Sequence, residues 1–273
     1  MTAPRLGKDP LVPPGSLLPS VVTGTTGEGP TLSDDERLAL FASALDEVGD
    51  RATVVAGTGT YSTAHTVHLT ERAHELGAHA FLIVTPYYNK PPPRGIVAHF
   101  AAVADTTDRP LVVYNIPSRS VLNIETETMA ELAEIATVTA VKQAKPSIES
   151  ARHVVECGLD LYAGDDDLIL PFLEVGGVGG ICVHTHVVGP QVKELISSYR
   201  AGDVERAHAL DEELRPALEI LKVQTNPIAI KKALQLLGHE VGGLRLPLVE
   251  ADDAETAEIR DCLERLGLLA AVA

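Results

Sequence analysis

Basic residues are scarce in this sequence: 22 Lys and Arg stand against 38 Asp and Glu, for a formal net charge of −16. Neutralising nucleic-acid phosphates takes clustered Lys and Arg, so the composition excludes a nucleic-acid partner. Cysteines are few as well. Cys157, Cys182 and Cys262 are odd in number, widely separated and without metal-ligand spacing, which argues against a disulfide framework or a zinc site and points to a reducing, cytoplasmic setting. No apolar run approaches the ~20 residues of a membrane span. Residues 1–20 carry Pro4, Pro10, Pro13, Pro14 and Pro19 where a signal peptide would have its apolar core. The ten histidines are scattered, with His65, His68, His74 and His79 mostly on or near one helix, and form no metal constellation. What is present suits a folded α/β protein: 45% hydrophobic residues exclude a disordered chain, and 273 residues accommodate one large domain.

Apolar runs and amphipathic runs alternate along the chain. Strands are predicted at 21–24, 53–58, 80–85, 111–115, 138–144, 159–164 and 180–184, with helices at 34–48, 63–76, 94–104, 125–135, 147–157, 168–175 and 191–199 between and after them. Ser33 with Glu36 three residues on is a capping box for the first helix, and Gly77 ends the second. Strands apolar on both faces and separated by helices indicate parallel βαβ units. Polar residues stand at or just past the C-terminal ends of successive strands: Thr25 and Thr26, Thr58, Tyr87 and Tyr88, Tyr114 and Asn115, Lys142, Asp165 and Asp166, and Thr185. In a (β/α)8 TIM barrel those ends form one catalytic face. A doubly wound nucleotide-binding sheet would instead carry G-x-G-x-x-G after its first strand, a spacing that G-T-T-G-E-G at 24–29 lacks.

The count gives seven strands where the barrel needs eight. The 20 residues before Val21 are too few for a strand, a helix and two loops, and their prolines cannot donate to a central sheet. The expectation is therefore a barrel lacking its first βα unit: a Pro-rich tail at 1–20, the barrel domain at 21–202, and a C-terminal helical region at 203–273. Helices at 204–221, 227–237 and 253–266 in that last region read as packing and assembly elements.

Lys142 is the one charge near the end of an apolar strand, V-T-A-V-K-Q-A at 138–144. Apolar neighbours favour the neutral amine over the ammonium form, and that amine is the nucleophile of Schiff-base chemistry on a carbonyl. The plainer alternative is an edge-strand lysine kept for solubility, against which both flanks are apolar. Lys145, beside Pro146, reads as a solvated loop lysine. Tyr114 ends the preceding strand, and parallel neighbours lie ~4.8 Å apart, so its hydroxyl is within reach of a substrate on Lys142. A phenol there can relay protons; a core tyrosine bonded to backbone is the equal alternative. G-T-T-G-E at 24–28 offers two hydroxyls and several backbone N–H groups as a carboxylate cradle, and Arg119, in N-I-P-S-R, offers a bidentate fork for a second carboxylate.

Taken together these stretches resemble the dihydrodipicolinate synthase family of pyruvate-dependent class I aldolases. The resemblance rests on G-T-T-G-E at 24–28, A-G-T-G at 56–59, V-T-P-Y-Y-N-K-P at 84–91, Y-N-I-P-S-R at 114–119, V-K-Q-A at 141–144, G-D-D at 164–166, N-P-I at 226–228 and L-R-L-P at 244–247. It implies that Lys142 forms an imine with pyruvate, and that Tyr114, Thr25 and Tyr88 form a proton relay, Tyr88 entering from a neighbouring subunit of a dimer or tetramer. It also implies that Thr26 holds the pyruvate carboxylate, that Arg119 binds the carboxylate of aspartate semialdehyde, and that Gly164 and Ile181 line the pocket. No cofactor and no metal are implied. Arg119 favours this reaction over that of related sugar-acid aldolases, the nearest alternative within enzymes; an inactive truncated barrel is the alternative outside them. Gln143 stands where the family more often has an acid, and His186 where asparagine is common. At the places where lysine-inhibited members bind lysine, this chain has Asp34, Arg37, Tyr61 and His65, which implies weak or no inhibition by lysine.

Overall fold

A computed structural model describes residues 17–270, and of residues 17–19 the backbone alone. The chain forms two compact units. The first runs up to Gly24 and resumes over Leu32–Ile181; the second holds Thr25–Thr31 and the chain from Cys182 onward. The first unit contains β1 (Leu17–Val22), α1 (Asp34–Val48), β2 (Ala52–Gly57), α2 (Thr63–Glu75), β3 (Ala80–Val84), α3 (Pro93–Ala104), β4 (Leu111–Asn115), α4 (Pro117–Ser120), α5 (Thr126–Ala133), β5 (Val138–Gln143), α6 (Ile148–Glu156), β6 (Asp160–Ala163), α7 (Ile169–Leu173) and β7 (Gly179–Gly180). Among the described residues its seven strands form one sheet in sequential order, every pair parallel, as in a TIM-like barrel.

Period-two alternation assigns the two faces of this sheet. Val55, Ala80, Leu82, Val112, Tyr114, Ala140, Ala144 and Tyr162 share one apolar cluster, joined by Val21, Val84 and Ile181 at its margin. The intervening residues, among them Val54, Phe81, Ile83, Val113, Val141 and Leu161, are also fully buried. Apolar residues on both faces are what made these strands readable as continuous runs. The capping box forms as expected: Glu36 N–H donates to Ser33 Oγ, and Ser33 N–H donates to Glu36 Oε2 at 2.9 Å. Gly59 in A-G-T-G is required by close approach, since a Cβ there would come within 2.3 Å of the Val84 amide nitrogen.

Two strands depart from the expected bounds. β1 reaches back to Leu17, inside the stretch expected to be irregular. Among the described residues it pairs only with β2, so Pro19 is tolerated on an edge, and the register shifts between Leu17 and Ser20 where proline has no N–H to donate. The last strand was expected at 180–184, but only Gly179–Gly180 pair with β6. It is the other edge of the sheet among the described residues, and its glycines bring no side chains to pack.

The second unit contains α8 (Thr185–Arg200), α9 (Val204–Glu213), α10 (Arg215–Val223), α11 (Ile228–Leu236) and α12 (Asp253–Arg265). The helix expected at 191–199 extends back to Thr185 through a break at Val188 (φ −126°, ψ 31°), ahead of Pro190. That expected at 204–221 is divided at Leu214 into α9 and α10. α10, α11 and α12 enclose a core of Ile220, Ala229, Ala233, Ile259, Cys262 and Leu263. No helix among the described residues is long and apolar enough to cross a membrane.

Candidate active site

Lys142 lies on β5 between Ala140 and Ala144, on the face that carries the inner apolar cluster. Its register partners are Tyr114 on β4 and Tyr162 on β6, both buried, so the lysine stem is held between two aromatic residues. Lys142 Nζ stands 4.2 Å from the centroid of the Tyr114 ring, within cation–π range. Tyr114 is fixed in turn by Thr85 at the end of β3, whose amide and hydroxyl both donate to the Tyr114 carbonyl, at 3.0 and 2.9 Å. Lys142 as a whole is half-buried, near the C-terminal end of β5.

Charged neighbours come from the next loops. Arg119 is exposed on α4, directly after β4. Asp165 follows β6, where burial pushes its carboxyl above the ordinary carboxylate range; Asp167 and Asp166 act in the same direction, and Lys142 and Arg119 pull against them. Gly164 carries the rung that sets this loop, donating its N–H to the Gln143 carbonyl at 2.8 Å. A Cβ at Gly164 would meet Ala144 Cβ and N at 2.9 Å, so only glycine lets the β6 end lie this close to the residue after Gln143. Ile181 continues the ladder past β7, donating to the Ala163 carbonyl at 2.8 Å. On the opposite face of β5, Gln143 accepts from Asn115 Nδ2 and donates to Ser150 Oγ, both at 2.9 Å. That neutral amide pair pins β4 to β5 on the far side from Lys142.

In the second unit Thr25–Thr31 is a tight turn, with Glu28 N–H donating to the Thr25 carbonyl at 3.1 Å. Asn226 Nδ2 donates to Thr26 Oγ1 at 2.9 Å. Glu28 is bonded by Lys231 Nζ at 2.8 Å and by the Arg245 amide at 2.9 Å. Burial would raise the Glu28 carboxyl, but these two partners outweigh it and hold the group below its usual range. Among the described residues no group of three or more His, Cys, Asp or Glu is arranged to hold a metal ion.

Residues 19–266 match the Dihydrodipicolinate synthetase family. The chain belongs to that family. It is 45% identical to the 4-hydroxy-tetrahydrodipicolinate synthase of Heliobacterium modesticaldum, over 91% of this chain and 84% of that protein. It is also 45% identical to the enzyme of that name from Mycolicibacterium gilvum, over 86% of this chain and 78% of that one. The crystal structure of dihydrodipicolinate synthase from Thermotoga maritima superposes with a TM-score of 0.88 at 38% identity, covering 91% of this chain and 87% of that one. A monomeric dihydrodipicolinate synthase variant gives the same TM-score and identity, covering 91% and 85%.

Of the residues singled out from the sequence of this family member, Lys142, Tyr114, Arg119, Gly164 and Ile181 lie at the C-terminal ends of β4 to β7. Tyr88 is in the loop after β3, 88% exposed, in a left-handed conformation with φ 71°. Thr25 and Thr26 belong to the second unit. Lys145 lies past the end of β5, as expected of a loop lysine. Sequence reasoning gave no role to Asp165 or Thr85. Asp165 was visible within G-D-D, but its burial was not; Thr85 acts through a carbonyl of the neighbouring strand, for which residue type gives no signal.

Proposed function

We propose that this protein condenses pyruvate with aspartate semialdehyde through an imine on Lys142, the reaction named by its relatives, 4-hydroxy-tetrahydrodipicolinate synthases. The observation that carries the reading is the amine of Lys142 at the C-terminal end of β5, 4.2 Å over the Tyr114 ring. The neutral amine attacks the ketone carbon of pyruvate, a proton passes from nitrogen to oxygen, and water leaves to give the imine. Loss of a methyl proton gives the enamine, which forms the carbon–carbon bond to the aldehyde. The amino group of the semialdehyde then attacks the imine carbon, and the ring closes as Lys142 is released. Each step moves a proton on or off a heteroatom or carbon, and we assign that relay to Tyr114, Thr25 and Tyr88. Thr26 takes the carboxylate of pyruvate, Arg119 that of the semialdehyde, and Gly164 and Ile181 line the pocket. The reaction as written needs neither metal nor cofactor.

The exposure of Tyr88 supports a homo-oligomer in which this side chain enters the site of a neighbouring subunit. The seven strands are read as the second to eighth staves of a (β/α)8 barrel, because β1 leads directly into the G-T-T-G-E turn. The test is borohydride reduction in the presence of pyruvate. A pyruvate-derived adduct on the Lys142 peptide is expected, absent in Lys142→Ala, with turnover on aspartate semialdehyde separating this reaction from that of a sugar-acid aldolase. Folded protein that forms no adduct would overturn the reading.

A further inference from the structure

The stretch 226–231 at the start of α11 supplies two side-chain clamps on the Thr25–Thr31 turn. Lys231 holds the Glu28 carboxylate, with both side chains largely buried, while the Arg245 amide takes its second oxygen and Arg245 Nη1 reaches the Thr31 carbonyl at 3.3 Å. Asn226 Nδ2 donates to Thr26 Oγ1 at 2.9 Å across 200 residues of sequence. Pro227, Ile228, Ala229 and Ile230 are buried directly behind Asn226, so the amide is presented from a fixed backbone.

We infer that Asn226 is a positioning residue that fixes the Thr26 hydroxyl as a hydrogen-bond donor toward the substrate carboxylate. A threonine hydroxyl has one hydrogen and two lone pairs. When an amide N–H donates into one lone pair, the hydroxyl's own hydrogen must point elsewhere, so the group is oriented before substrate arrives and no reorganisation is needed on binding. The inference rests on Thr26 being the residue that takes the pyruvate carboxylate. Asn226→Asp inverts the arrangement without a change of size: the carboxylate can only accept, so it captures the Thr26 hydrogen and sets a negative charge next to the hydroxyl.

The experiment is a double-mutant cycle of Asn226→Asp and Thr26→Val, read as KM for pyruvate and kcat. N226D is expected to raise KM for pyruvate about tenfold or more, with kcat changed less than about threefold and KM for aspartate semialdehyde less than about twofold. T26V should raise KM for pyruvate similarly, and the double variant should be no worse than T26V alone, because Asn226 acts only through the hydroxyl. Full additivity in the double variant, or loss confined to kcat, would overturn the inference while leaving Thr26 in its role. An unchanged KM for pyruvate in T26V would instead remove Thr26 from the carboxylate site and the inference with it. Should N226D fail to fold, Asn226→Ala runs the same cycle without the added charge, with a rise in KM of about threefold expected and the same additivity criterion.

Discussion

His99 on α3 is a buried imidazole with one hydrogen bond, to Thr63 Oγ1 at 2.9 Å, and a ring edge against Phe100. It is 3% exposed, and its buried Nε2 has no hydrogen-bond partner among the described residues. Burial pushes its pKa down to about 4. The unfolded chain, with an ordinary histidine pKa of about 6.5, therefore binds a proton that the folded protein refuses across this window, and stability rises with pH there. Stability is intact above about pH 6.5 and is lost as pH falls toward 4. A difference of about 2.5 units is worth ~3 kcal/mol in full, of which about 2 kcal/mol falls between pH 7 and pH 5. His99→Phe keeps the ring volume and removes the titrating group, so its stability should change by about 2 kcal/mol less than wild type over the same interval. Urea midpoints at pH 7, 6 and 5 for both proteins give that difference directly, free of the carboxylates that titrate in each. Parallel loss in the two proteins would refute the reasoning, as would an imidazole NMR titration of His99 with a midpoint near 6.5.

Two further outcomes follow from other parts of the structure. Gly164→Ala places a methyl 2.9 Å from both Ala144 Cβ and its amide nitrogen, so the β5 and β6 ends must separate; a cost of about 1–3 kcal/mol and a loss of kcat/KM are expected. A thermal midpoint and activity equal to wild type would show that the strand ends are not held as tightly as this. Inhibition by lysine should be weak or absent, because Arg37 is buried there, Asp34 is bonded to His65 at 2.8 Å, and the Tyr61 and Tyr87 rings are edge to face at 5.4 Å. A cationic ligand would meet a guanidinium and a carboxylate already engaged; a clear inhibition curve at sub-millimolar lysine would contradict this.

The fold was legible where side chains repeat a period. α1, opened by the Ser33–Glu36 capping box, and β4, with its apolar run Leu111 to Val113, lie at the residues their patterns mark. Legibility failed at the sheet edges: the pattern cannot show that an edge admits Pro19, nor that V-G-G-V-G-G at 175–180 supplies too little side chain to extend β7. At the candidate site, Lys142 and Tyr114 announce themselves as polar residues ending apolar strands. The burial of Asp165 and the bond from Asn226 to Thr26 do not, since both arise from surroundings that only tertiary structure assembles.

Backbone conformation shows why the two ends of the strands differ in this respect. At helix-to-strand turns the left-handed positions are glycine, as at Gly77 after α2 (φ 94°) and Gly158 after α6 (φ 82°), where the residue relieves strain and marks the helix end in the sequence. Among the described residues the non-glycine positions with positive φ are Thr23, Glu28, Tyr88, Lys90 and Val121. Thr23, Tyr88 and Lys90 follow β1 or β3 on the strand-to-helix side of the first unit, the side that also carries Lys142, Tyr114 and Arg119, while Val121 ends α4 between β4 and α5 and Glu28 lies in the turn of the second unit. Thr23 and Val121 are β-branched, for which this conformation is a true outlier, and each such residue costs roughly 1–3 kcal/mol. Strain of this kind persists only where the surroundings over-determine it: Thr23 is held by its hydroxyl bond to the Gly57 carbonyl at 3.0 Å. One side of the sheet thus uses residues that suit the backbone and can be read as punctuation. The other keeps residues that the backbone disfavours, so local propensity misreads it, and in barrels of this class that is the side on which active sites are built.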